Sequence, residues 1–109
     1  MVKKYENEAV TLMRSNNVAV LSTLSKKYDD FPFGSFTTYI TGQDRSIYIY
    51  ASNIAEHTKN ILKNSKSCIT IFKIKENQDK QNSSRLSIMG DFKKIKKEEK
   101  IKNCADRFF

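Results

Sequence analysis

Tyr48-Ile-Tyr-Ala-Ser-Asn-Ile-Ala-Glu-His-Thr-Lys-Asn-Ile61 decides how this chain folds. Its first residues alternate as a half-buried strand does, and its later ones take a helical spacing. Asn53 with Glu56 three residues on forms a capping-box-like pair, with Ser52 as a rival cap. The spacing predicts a helix to about Asn64, with Ile54, Thr58, Ile61 and Leu62 as its inner stripe. Its first turns carry Glu56, His57 and Lys59, and His57 is the only histidine of the chain. A helix start offers unpaired N–H groups and a partial positive charge, so an anionic group would be held here if anywhere.

Working back from that stretch, Ser46–Ala51 is its strand and Thr41–Arg45 a tight turn. Phe33–Ile40 is the strand before, so the two form a hairpin. Gly34 within it marks a bulge or a close approach. Pro32 pushes Phe31 into extended backbone, and Lys26–Asp30 is a turn. Val18-Ala-Val-Leu-Ser-Thr-Leu24 is nearly continuous in apolarity, which predicts a strand covered on both faces. Tyr5, Ala9, Leu12 and Met13 form one stripe of a helix over residues 4–15, which Asn16-Asn17 ends through left-handed geometry.

Working forward, Ser67–Ile74 and Arg85–Phe92 read as strands, the second reaching towards Ile95, with a polar loop from Glu76 to Ser84 between them. Ile101, Cys104, Ala105, Phe108 and Phe109 would line one stripe of a last helix. The resulting order is α-β-β-β-α-β-β-α in a single domain over residues 1–109. Tight turns between strands imply an antiparallel sheet that closes into a small barrel. The apolar C-terminus and the open sheet edges would both be relieved by a symmetric dimer.

Composition narrows the partners. The 109 residues carry a formal net charge of +8. The excess lysines, as in Lys93-Lys94-Ile-Lys-Lys97, are interleaved with acids as on a solvated helix face. Arg and aromatics are not interleaved as a stacking surface for single strands requires, which argues against nucleic acid as a partner. No apolar run is long enough for a membrane span and the charged N-terminus lacks a signal-peptide core, so the chain is expected to be cytoplasmic. Cys68 and Cys104 lie far apart with no CxxC, which argues against zinc and for reduced, buried thiols.

Four segments together carry a resemblance. They are Leu12-Met13 with Val18–Leu24, Pro32 with its strand, Tyr50-Ala-Ser-Asn-Ile-Ala-Glu-His-Thr-Lys-Asn-Ile61, and Arg85-Leu-Ser-Ile-Met-Gly90. The chain resembles the pyridoxamine-5′-phosphate-oxidase-like FMN-binding split barrels. Within them it is most similar to the haem-utilisation (HugZ-like) branch, chiefly through residues 55–61. The resemblance implies a mainly β fold with α: a split β-barrel of about six antiparallel strands with flanking helices. It also implies a homodimer that binds FMN or haem at its interface.

His57, Thr58 and Lys59 would then contact the cofactor's anionic group. Tyr50 and Ser52, at the end of the third strand, and Ser35 and Thr37, on the second, would line its ring system. Glu56 and His57 stand where flavin-binding members carry the Arg-Lys pair that holds phosphate. The branch's axial haem ligand belongs to a segment beyond the barrel that these 109 residues do not include. No Ser-His-Asp or Cys-His constellation is legible, so no catalytic residue is named and chemistry would rest with the cofactor. As an enzyme the protein would be an FMN-dependent oxidoreductase or a haem-degrading oxygenase. The alternative is a degenerate, non-catalytic ligand-binding or dimeric interaction module.

Overall fold

The computed structural model describes residues 2–74 and 83–95. The expected C-terminal helix, with Ile101, Cys104, Phe108 and Phe109, lies outside the described residues, as does most of the polar loop before Ser84. The described elements run α1 (Val2–Ser15), β1 (Val18–Leu24), β2 (Pro32–Thr38), β3 (Ile40–Thr41), β4 (Ile47–Tyr48), α2 (Glu56–Lys63), β5 (Lys66–Lys73) and β6 (Ser84–Asp91).

β2, β1, β5 and β6 form, in that order, a four-stranded antiparallel sheet, while β3 and β4 pair as a separate hairpin. In β1 the residues Ala19, Leu21 and Thr23 are buried, whereas Val18, Val20, Ser22 and Leu24 are half-buried. The expectation of a strand covered on both faces is therefore corrected. One face meets the core, and the other is open to the reach of its neighbours' side chains alone. The registers place Ser35 and Thr37 of β2, Ile69 and Ile71 of β5, and Leu86 and Ile88 of β6 on the core face. α1 covers β5 and β6 there, and α2 covers β1. Leu12, Met13, Ala19, Leu21, Tyr39, Ile69 and Ile71 form the core, with Ile47, Ile49 and Ile61 packed against it.

Several local expectations give way to other physics. The second strand does not run unbroken to Ile40. Tyr39 leaves the sheet to bury its ring, its hydroxyl donating to the Met13 carbonyl at 2.7 Å and its N–H to the Asn17 carbonyl at 2.9 Å. That exchange of partners carries the chain from one sheet to the other, so the expected closed barrel is two separate sheets among the described residues. The third strand is two residues long, and residues 49–51 are irregular. α1 stops because the Asn16 amide donates to the Leu12 carbonyl at 2.9 Å, not because an Asn turns left-handed. Among the described residues the left-handed ones are Asp29 and Asp30, in the turn joining β1 to β2, and Arg45, in the β3–β4 turn. Gly34 makes neither a bulge nor a close approach: it pairs in register with Ser22, and a Cβ there would meet nothing within 4 Å.

Candidate anion-binding site at the start of α2

α2 begins later than the sequence suggests. Residues 52–55 form a turn in which the Ile54 N–H donates to Ser52 Oγ (3.3 Å) and the Ala55 N–H to the Ser52 carbonyl (3.2 Å). The residue preceding the helix is Ala55, in extended geometry (φ −71°, ψ 143°), and no side chain caps the helix. The Asn53–Glu56 capping box therefore does not form. Ser52 stabilises the turn instead, and the first N–H groups of α2 lack a side-chain acceptor.

His57 is half-buried on the sheet side of α2, and its Nδ1 lies 3.3 Å from Ser35 Oγ on β2. Ser35 Oγ is also 3.3 Å from the Leu21 carbonyl, which can only accept. Ser35 has one proton to give. When it goes to Leu21, the imidazole Nδ1 carries the hydrogen bonded to Ser35; when it goes to Nδ1, Nε2 carries the ring hydrogen and is the donor left for a ligand. The next residue, Thr58, has a buried hydroxyl with no hydrogen-bond partner. It is the one such side-chain atom among the described residues. An orphaned buried hydroxyl is costly, and it sits in the first turn of an uncapped helix, where an acceptor would satisfy both needs. Lys59 Nζ lies 3.8 Å from Glu56 Oε1, an ion pair about half exposed at both ends.

The structure thus brings Ser35 and His57 together, with Thr58 the next residue of the helix and Lys59 exposed beyond it. Thr37 is buried one alternation along β2 and donates to the Thr38 carbonyl at 3.1 Å. Tyr50 is 86% exposed, and Ser52 is exposed within its turn.

No role for Asn60, a polar residue within the expected helix, is legible in the sequence. Asn60 is fully buried. Its Oδ1 accepts from the Lys26 N–H at 2.8 Å, and its Nδ2 donates to Thr23 Oγ1 at 3.0 Å. The expected inner stripe changes with it. Ile54 and Leu62 are exposed, Thr58 and Ile61 of the expected stripe are half-buried, and Asn60 with half-buried His57 completes the buried side of α2. A polar residue at the centre of that side hides the stripe from any count of apolar spacing.

The open face of the sheet is a second surface. Phe36 (72% exposed), Phe72 and Met89 (82% exposed) project from it, beside half-buried Val20 and Cys68. At one end lies an open groove of about 480 Å³, lined by Ser22, Leu24, Pro32, Lys66, Cys68 and Met89 among others. Cys68, expected as a buried thiol, is a free and only half-buried one. Among the described residues no helix is long and apolar enough to cross a membrane.

Residues 2–109 match the family described as CREG, beta-barrel. The chain belongs to this family. It is 31% identical, over 77% of its length, to the non-canonical heme oxygenase HOZ, chloroplastic, of Arabidopsis thaliana, and spans 25% of that protein. A heme-binding protein from Mycobacterium smegmatis superposes with a TM-score of 0.77 at 28% identity, covering 90% of this chain and 39% of its own. HutZ, the heme storage protein of Vibrio cholerae, superposes with a TM-score of 0.71 at 18% identity, covering 94% and 75%. The mainly antiparallel fold with two helices is thus that of the split barrels, as the sequence resemblance implied. It is shared with proteins of haem utilisation.

Proposed function

We propose that this protein binds haem as a homodimer. In this reading the start of α2 holds an acidic edge of the cofactor and the open sheet face meets a second copy. The observation that carries the reading is the uncapped first turn of α2. It carries a buried, unpartnered Thr58 hydroxyl, and the residue before it, His57, is braced by Ser35. A haem propionate would accept from the Thr58 hydroxyl and from the first N–H groups, with His57 and Lys59 adding donors. Tyr50 and Ser52 would border the ring system from the preceding turn, with Ser35 and Thr37 beneath. Bound haem supplies redox chemistry, and the chain's own residues orient it and shield it from water.

The Glu56 carboxylate favours haem over FMN. It stands in the same first turn and already occupies Lys59. A phosphate dianion would meet that charge more severely than a single carboxylate would. Dimerisation is supported by Phe36 and Met89, large apolar side chains mostly in solvent on one flat face. The relative named as a heme oxygenase supports haem breakdown as the role, with non-catalytic haem holding as the alternative.

The absorbance of the protein as isolated, followed by titration with haemin and with FMN, tests the reading. A saturable Soret change with haemin at one equivalent per protomer, absent for FMN, is expected. Saturable FMN binding with no haemin response would replace haem by flavin. Indifference to both would leave the non-catalytic interaction module.

A further inference from the structure

We propose that Asn60 is a positioning residue: its buried amide sets the roll of α2 on the sheet and thereby holds the His57 ring against Ser35. The functional consequence rests on the ligand contact proposed for His57, but the geometry does not.

The Asn60 side chain has one orientation available. The Lys26 backbone N–H can only donate, so Oδ1 faces it at 2.8 Å, and Nδ2 is left to donate to Thr23 Oγ1 at 3.0 Å. Exchanging the amide's ends would set N–H against N–H in a site without solvent. Few other contacts fix the roll. α2 is eight residues long, too short to be stable alone. Leu62 on α2 and Ile54 in the turn before it are exposed, so Ile61 is its main apolar anchor.

His57 and Asn60 are three residues apart and so share one face of the helix. Both are tied to β1: Asn60 directly to Thr23, and His57 through Ser35 to Leu21, two residues back. A roll of about 20° moves a side-chain tip, about 5–6 Å from the helix axis, by about 2 Å. That is enough to break the 3.3 Å contact between His57 and Ser35.

The single histidine makes this measurable in the full chain, because its ring nitrogens give one isolated set of NMR signals. Asn60→Ala is expected to move those signals towards the tautomer balance of a free imidazole and to weaken haemin binding about tenfold, the worth of one misaligned hydrogen bond. Asn60→Asp keeps both links, since a carboxylate accepts from the Lys26 N–H and from a Thr23 hydroxyl turned donor. It should therefore restore the wild-type imidazole signal. Leu62→Ala, on the exposed side of α2, should leave the signal unchanged.

A folded Asn60→Ala protein with wild-type imidazole signals overturns the proposal, as does a folded Asn60→Asp protein with the signals of the alanine variant. If Asn60→Ala does not fold, Thr23→Val, which removes one link only, decides by the same signals. If the wild type binds no haemin, the haem reading fails while the imidazole signals still decide the role of Asn60.

Discussion

Replacing Thr58 by Val should move stability and ligand binding in opposite directions. The two side chains have nearly the same shape and similar helix propensity, so the change removes little but the hydroxyl. That hydroxyl is buried without a partner. A buried polar group left unsatisfied costs about 1–3 kcal/mol, so its removal should stabilise the unliganded protein by about 1 kcal/mol once imperfect fit of the new methyl is allowed for. In a chain of 109 residues this corresponds to a rise in Tm of about 4 °C. If the hydroxyl donates to an acidic group of the ligand, the same variant loses that bond, and affinity for haemin should fall about tenfold. Urea unfolding with and without haemin reads both quantities in one preparation, as a higher midpoint without ligand and a smaller ligand-induced gain. Two results would refute the reasoning. Loss of stability in the unliganded variant would mean that the hydroxyl already has a partner. Unchanged haemin affinity would mean that the ligand does not reach it.

Ile71→Ala, at a fully buried site opposite α1, should cost about 2–5 kcal/mol in urea unfolding, whereas Leu62→Ala on exposed α2 should cost under about 1 kcal/mol. Tyr39→Phe should cost about 1 kcal/mol through the lost bond to Met13. It should also alter the alkaline limb of stability. Burial raises the Tyr39 phenol above its ordinary value. The native state therefore resists ionisation, and its advantage is fully present below the ordinary tyrosine range and lost as pH rises through the raised value. Unfolding midpoints of the Phe variant should decline less steeply above about pH 10. Phe36→Asp with Met89→Lys, on the open sheet face, should give a folded monomer by sedimentation while the wild type sediments as a dimer. A wild-type monomer at micromolar concentration would remove the case for the second copy.

Strand identities were legible where β-branched and apolar residues run together, as in residues 18–24, or alternate with polar ones, as in residues 85–92. That only one face of residues 18–24 meets the core was not legible, because apolar residues occupy both faces. Nor was the break at Tyr39, because a β-propensity run gives no sign that one aromatic will leave the sheet to reach a carbonyl of α1. The helix start was misplaced because Ser52 and Asn53 both have capping chemistry, yet the turn used Ser52 and left Ala55 at the boundary. Within the candidate site, Ser35 and His57 were both expected, but their mutual contact depends on a register between β2 and α2 that no local spacing contains. Asn60 was overlooked because a buried amide looks, in one dimension, like any polar helix residue. Its partners on Thr23 and Lys26 exist only after the hairpin is folded beneath it.

Several polar ties run from the β3–β4 hairpin and its entrance to α1. Arg14 donates to the Gly42 and Gln43 carbonyls, Arg45 pairs with Glu6, and Tyr39, at the hairpin's entrance, donates to Met13. α2 takes no part in these bonds and is anchored through β1. The molecule should accordingly breathe in two parcels: α1 and the hairpin exchanging their amide hydrogens in step, and α2 on its own, faster clock. A ligand seated on α2 would slow that second clock and leave the first untouched.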